Sequence, residues 1–92
     1  MSEAPVFQVV VSDGVKWPYG HFVGRCLVGD IIPGTRFTRM ALPGGREMAI
    51  DTVAAEMWIF RDRPATLISA GLSALIRFDP PVYGPVDGAI MS

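Results

Sequence analysis

Cysteine, histidine and lysine are almost absent from this 92-residue chain, which contains one of each: Cys26, His21 and Lys16. An intramolecular disulfide needs two cysteines, and a zinc site usually needs three or four protein ligands, most often Cys or His. We therefore expect no disulfide, no metal site and no cofactor.

Catalytic groups are similarly scarce. Ser12, Asp13 and His21 have the side-chain types of a hydrolytic triad, but nothing in their spacing positions a nucleophile against a base and an orienting acid. The nine carboxylates are arranged no differently from what chance would produce. We therefore expect that the chain is not an enzyme.

Charge is also low, because Asp, Glu, Lys and Arg make up 18% of the chain, against about 25% in typical globular proteins. The net charge of −1 provides no basic footprint of the kind that nucleic-acid-binding domains carry. Hydrophobic residues make up 50%. This balance predicts apolar surface available for a partner or for self-association, with a well-filled small core as the alternative.

Long apolar runs are missing as well. No window reaches the roughly 18 uncharged apolar residues that a membrane-spanning helix requires. The first eleven residues, "MSEAPVFQVVV", lack the basic start of a signal peptide, and Glu3 and Pro5 interrupt their apolar part. We expect a soluble cytoplasmic protein with no membrane partner, folded as a single domain over residues 1–92.

Glycine and proline, by contrast, are abundant, with ten and eight residues. These residues divide the chain into short segments, which is typical of an all-β domain with frequent turns. Alternating or β-branched segments predict four strands, and the first of them is apolar enough to be covered on both faces. The predicted strands are Val6 to Val11, Phe22 to Val28, Thr35 to Leu42 and Ser73 to Phe78.

Two further segments read equally well as helix or strand from their residues alone. In "IDTVAAEMWIFR" (50–61), the first half contains good helix formers, whereas Trp58, Ile59 and Phe60 favour a strand. In "LISAGLSALI" (67–76), the central Gly71 disfavours one continuous helix and suggests two pieces.

The glycine spacing in "GRCLVGDIIPGTRF" (24–37) resembles the second domain of elongation factor Tu and related translation GTPases. That family has the pattern G-R-x-x-x-G-x-I-x-x-G in this region. The stretch "AEMWIFRDRPATLISAGLSALIRF" (55–78) is similar to a later hairpin of the same domain, and "FQVVVSD" and "GPVDGAIMS" resemble its first and last strands. The residues that fall on these patterns are Gly24, Arg25, Gly29, Ile31, Gly34, Glu56, Met57, Ala70 and Gly71.

This resemblance implies a small closed antiparallel barrel of about six strands, in which both ambiguous segments are strands. Glycines in such a barrel serve sharp bends and close strand packing. We accordingly expect structural roles for Gly24, Gly29, Gly34 and Gly71. The chain departs from the family in having no G-x-x-x-x-G-K-[ST] loop, so we expect no GTP binding.

The loop "WPYGH" is the first candidate binding site. Trp17, Tyr19 and His21 lie close together in sequence, and loop aromatic residues stack on bases or anchor protein partners. The alternative is that this loop folds over one end of the barrel and plugs it.

Four charged residues are further candidates. Arg25 suits a phosphate or carboxylate ligand, unless it pairs with a nearby acid. Arg61 and Arg63 form the charged tip of a predicted hairpin, which suits an acidic partner. The alternative is that this tip is only solvated. The resemblance places Glu56 near the end of a bound tRNA, whereas the residue pattern favours a simple outward-facing strand carboxylate.

These features support three functional hypotheses. The first is a non-catalytic module that binds another protein or a second copy of itself, as an inhibitor, an immunity-like protein or an assembly subunit. The second is an accessory domain that associates with RNA or the ribosome, as the resemblance implies. The third is a small-molecule pocket near Trp17 and His21.

Overall fold

The structure, a computed structural model, describes residues 4–11, 20–59, 62–82 and 86–92, and the regular structure of these residues is entirely β-strand. The prediction of an all-β chain is therefore confirmed. The strands are β1 (Val6–Val11), β2 (His21–Val28), β3 (Asp30–Ile31), β4 (Arg36–Ala41), β5 (Glu47–Ile59), β6 (Arg63–Ala65), β7 (Ile68–Ser69), β8 (Ser73–Asp79) and β9 (Ile90–Met91).

Antiparallel pairing joins seven of these strands in the order β4-β9-β1-β2-β8-β5-β6, and β4 also pairs with β5. This additional pairing closes six strands into a ring, and β6 extends the sheet beyond it along β5. The 13-residue length of β5 makes the closure possible, because residues 47–53 pair with β4 and residues 53–58 pair with β8. β3 and β7 form a separate two-stranded sheet.

The core inside the ring is built around phenylalanine. The ring of Phe78 lies 5.9 Å from Phe7, 5.6 Å from Phe22 and 5.8 Å from Phe37, between centroids, in tilted or edge-on arrangements. Aromatic pairs favour these geometries over direct face-to-face stacking. All four side chains are fully buried or nearly so, and they come from four different strands of the ring.

Gly24 lies where β1 and β2 approach each other closely. A Cβ atom at this position would meet the carbonyl oxygen of Gln8 and lie 2.6 Å from Cζ of Phe7. A backbone atom cannot move away as a flexible side chain can. The absence of a side chain at Gly24 therefore allows Phe7 to fill the core beside β2.

The described residues of both segments that are ambiguous in sequence form strands and no helix. In β5, an irregularity in the pairing with β8 between Ala54 and Glu56 lets Ala54 and Met57 both point into the core. The second segment divides into β7 and β8 around Gly71, which has a φ of 91°.

The expectation that β1 is covered on both faces is wrong. Its burial alternates, with Phe7 and Val9 fully buried and Val10 55% exposed. The reason is that the ring has one interior, so a strand in it has only one inward-facing side.

Candidate binding surface

The predicted site residues fall into separate places. Trp17, Tyr19 and Arg61 lie outside the described residues. Arg63 is exposed in β6, at the edge of the sheet. The other three, His21, Arg25 and Glu56, lie on the outer face of the ring.

His21 and Glu56 flank the same residue of β8. The register places His21 opposite Arg77, and Arg77 opposite Glu56. Nε of Arg77 donates a hydrogen bond of 2.8 Å to Oε1 of Glu56. Glu56 is thus an outward-facing strand carboxylate held by an ion pair, as the residue pattern favours.

The imidazole of His21 stacks on the indole of Trp58, with ring centroids 5.8 Å apart and an interplanar angle of 20°. Both side chains are half-buried. Trp58 also lies opposite Leu75, which in turn lies opposite Val23, so a row of half-buried apolar side chains crosses β2, β8 and β5.

Arg25 differs from Arg77 in forming no ion pair with any carboxylate of the described residues. It is exposed on β2, opposite Gln8 on one side and Ser73 on the other. The alternative prediction was that Arg25 pairs with a nearby acid. No such pair forms in the described part of the chain.

Exposed apolar side chains are concentrated next to Arg25. Six large hydrophobic residues of the described chain are more than a third exposed, and four of them belong to two adjacent segments. We call these four residues and the polar residues between them the apolar strip. Its apolar members are Leu27 (38% exposed), Ile32 (52%), Leu67 (50%) and Leu72 (49%).

Backbone hydrogen bonds hold the two segments of the strip together. The N–H of Cys26 donates to the carbonyl of Leu72 at 2.9 Å, and the N–H of Gly71 donates to the carbonyl of Cys26 at 2.7 Å. Further along, Asp30 lies opposite Ser69 and Ile31 opposite Ile68. Ile32 directly follows the first of these strands and Leu67 directly precedes the second.

A glycine turn determines which side chains of the first segment face outward. Leu27 and Asp30 are three residues apart and both exposed, although a regular strand would point them to opposite faces. Gly29 between them has a φ of 71°, which interrupts the alternation. Ile31 is consequently buried, and Asp30 and Ile32 lie at the surface.

Cys26 lies beneath the strip and is fully buried. Burial, together with the negative charge of Asp30, raises the pKa of the Cys26 thiol. A raised pKa disfavours the thiolate, which is the reactive form of cysteine. Cys26 is therefore a packing residue in this arrangement.

Among the residues that the structure describes, no three His, Cys, Asp or Glu side chains are grouped so that they could hold a metal ion. That part of the chain also contains no helix long and apolar enough to cross a membrane.

Sequence reasoning missed the strip, although a signal for one of its four apolar members was present. Leu27 has the same strand parity as Arg25 and the opposite parity to Cys26, which predicts an outward-facing leucine. The contribution of Leu67 and Leu72 depends on pairing between distant segments, which no local pattern reveals.

Comparison with known proteins gives no relative, because no family model, no curated protein and no solved structure matches the chain. The functional argument therefore rests on the surface itself.

Proposed function

We propose that this chain is a non-catalytic protein-binding module and that the apolar strip is its binding surface. The observation that carries the proposal is the clustering of four of the six large exposed hydrophobic side chains on two adjacent segments. Single exposed hydrophobic residues are common on monomeric proteins, whereas contiguous exposed patches mark interaction sites.

The strip is also suited to specific recognition. Two charged residues lie beside its aliphatic side chains, Arg25 next to Leu27 and Asp30 between Leu27 and Ile32, and neither forms an ion pair within the described residues. Burying Leu and Ile contributes roughly 25 cal/mol per Å² of apolar surface, and unpaired charges beside them select a partner of matching charge.

We further propose that the closed ring is a small barrel of the kind found in the second domain of translation GTPases. The support is the geometry at the glycines of the shared pattern. Gly24 allows the close approach of β1 and β2, and Gly29, Gly34 and Gly71 have φ values of 71°, 92° and 91°. In this proposal the barrel is a scaffold that presents the strip.

Association with RNA has less support than protein binding. Arg36, Arg39 and Arg77 are each engaged by a carboxylate, namely Asp51, Glu47 and Glu56. These pairs neutralise basic side chains that would otherwise contact phosphates. A small-molecule pocket at Trp17 and His21 depends on Trp17, which lies outside the described residues.

The proposal is tested with a matched pair of variants. Leu72→Asp places a charge in the strip, and Met48→Asp places the same charge at a methionine of similar exposure (45%) elsewhere. Each tagged protein is expressed in its native host and isolated after chemical cross-linking, and the purified proteins are examined by sedimentation. We expect Leu72→Asp to lose cross-linked partners or self-association that both wild type and Met48→Asp retain. Equal behaviour of all three proteins would reject the strip as the binding surface.

A further inference from the structure

Three polar side chains lie side by side on the outer face of the ring, beside the apolar strip. The register places Arg25 of β2 opposite Gln8 of β1 and opposite Ser73 of β8. Their neighbours within each strand are buried, so all three side chains point outward. We call Gln8, Arg25 and Ser73 the polar row.

The side chains of the polar row form no hydrogen bond and no ion pair with the described part of the chain. The row therefore differs from Arg36, Arg39 and Arg77, whose guanidinium groups each bind a carboxylate. A guanidinium, an amide and a hydroxyl all supply hydrogen-bond donors. Three adjacent side chains with donors, one of them cationic, suit an anionic oxygen group.

Apolar side chains flank the polar row on both sides. Residues two positions apart in a strand share a face and lie roughly 7 Å apart. Along β2 these neighbours of Arg25 are Val23, which is half-buried, and Leu27, which is exposed. Val10 of β1, which is 55% exposed, and Leu75 of β8 lie on the same side of the row as Val23. Arg25 thus presents a positive charge between two apolar areas.

This position makes the charge of Arg25 decisive for any protein that covers the surface. A partner in contact with both Leu27 and Val23 also covers Arg25 between them and removes its guanidinium from water. A charge that is buried without an opposite charge is costly, whereas a well-placed carboxylate offsets this cost. The surface therefore discriminates against a wholly apolar partner.

We infer that the partner of the apolar strip is a protein segment that carries one Asp or Glu between apolar side chains, and that the polar row binds its carboxylate. This inference rests on the proposed function and specifies the chemistry of the partner. A guanidinium donates two parallel hydrogen bonds to a carboxylate. The amide of Gln8 and the hydroxyl of Ser73 supply further donors on either side of Arg25.

The charges around the row favour a single carboxylate over a nucleic acid. Arg25 is the only cationic residue in 23–32 and 67–75, the segments that contain the strip, and Asp30 is the only acid. A nucleic-acid backbone carries repeated negative charges and is bound through several Lys and Arg side chains. Asp30 repels such a series of charges but leaves room for one acid at Arg25.

The experiment selects ligands for the purified full-length chain from a phage library of random linear peptides. The baits are wild type, Arg25→Glu and, as the matched control, Arg46→Glu. Arg46 is also exposed and without an ion pair in the described residues, but it lies in the turn between β4 and β5. Circular dichroism checks that each bait is folded.

We expect wild type and Arg46→Glu to enrich peptides with a shared Asp or Glu flanked by apolar residues. Arg25→Glu should instead enrich peptides with Lys or Arg at that position. A synthetic peptide of the wild-type consensus should bind Arg25→Glu about tenfold more weakly or worse, because two like charges then meet at the interface. Replacing the acid of this peptide by Lys should reverse the preference.

The inference is overturned if no peptide is enriched, if the enriched peptides share no acid, or if Arg25→Glu enriches the same peptides as wild type. A single-stranded RNA oligonucleotide that binds wild type but not Arg25→Glu also rejects it, in favour of phosphate. A host partner that cross-links to Arg25→Glu as to wild type, but not to Leu72→Asp, rejects the carboxylate and leaves the proposed function standing. If no host partner depends on Leu72 and no peptide is enriched, both are rejected.

Discussion

At the scale of single residues, Gly24 shows how a residue with no side chain determines the packing of its neighbours. The ring of Phe7 and the carbonyl of Gln8 occupy the space that a Cβ atom at Gly24 would need. Gly34 is the contrasting case, since its φ is 92° but a Cβ atom added there would have no other atom within 4 Å. The two glycines are required for different physical reasons.

We therefore expect Gly24→Ala to destabilise the fold more than Gly34→Ala. Overpacking against a backbone oxygen places the loss for Gly24→Ala at about 3 kcal/mol or more. For Gly34→Ala, the loss of stability comes only from the strain of an L-residue at positive φ and is about 1 kcal/mol. Urea unfolding of both variants measures the difference. A loss at Gly24 no larger than that at Gly34 would contradict the close approach of β1 and β2.

Cys26 gives the chain a predictable response to alkaline pH. Burial raises the pKa of its thiol in the folded state, so the unfolded chain loses this proton first as the pH rises. Below the unfolded pKa the contribution to stability is complete. Above about pH 9, the unfolded state binds fewer protons than the folded state, and stability falls by up to about 1.4 kcal/mol per pH unit.

The test compares wild type with Cys26→Ala, in which this titration is absent. We expect the stability of the wild type to decrease more than that of the variant between about pH 8 and about pH 10, the interval around the ordinary thiol pKa. Parallel pH dependences of the two free energies of unfolding would show that the thiol titrates alike in both states.

At the scale of elements, β5 shows tertiary structure overriding local preference. Its central "AAEM" favours a helix on propensity, yet Ala54 and Met57 are buried as members of a strand paired on both sides. The alternation in β2 predicts that strand to within one residue, because its side chains alternate between inward and outward with a regular period of two residues. β5 has no such period, since the pairing irregularity after Ala54 shifts its inward-facing positions.

An exposed alanine of β5 tests this interpretation. Ala49 lies opposite Arg39 on the surface, where side-chain packing does not dominate. In a strand, Ala49→Thr should raise stability by up to about 1 kcal/mol because β-branched residues suit strands. Ala49→Gly, the matched control, should lower it by roughly 0.5–1 kcal/mol. A loss of stability in the threonine variant, measured by thermal unfolding, would argue against the strand.

The apolar strip shows where prediction from sequence ends. The parity of Leu27 predicts that it faces outward, but the neighbours that make it part of a surface come from residues 67–72. The hydrogen bonds of Cys26 with Gly71 and Leu72 join segments more than forty residues apart. Local periodicity describes which face a side chain takes, whereas a binding surface depends on which segments meet.

At the scale of the whole molecule, the ring depends on its shortest member. β9 has two residues, and it pairs with β1 through Phe7 and Gln8 and with β4 through Met40 and Ala41. The carbonyl of Ser92 additionally accepts hydrogen bonds from the N–H groups of Thr38 and Arg39, at 2.8 Å and 3.0 Å. In the described part of the chain, the backbone hydrogen bonds that link β1 to β4 therefore run through the C-terminal segment, residues 88–92.

Met91 anchors this closure in the core, where its side chain is fully buried. Met91→Ala should cost about 2–5 kcal/mol, a large part of the stability of a domain of this size. Met48→Ala removes the same atoms from an exposed site and should change stability by no more than about 0.5 kcal/mol. Denaturant unfolding compares the two variants. Similar small losses in both would mean that β9 contributes little to the fold.

The closure through β9 also has a consequence for biosynthesis. Protein chains are made from the N-terminus onward, and β1, β2, β4, β5 and β8 all emerge before β9. The edges of β1 and β4 that await β9 remain unpaired during that time and are open to pairing with other chains. Completion of the ring is thus tied to synthesis of residues 90–92, which makes the nascent chain most vulnerable to misassociation in the interval just before they become available.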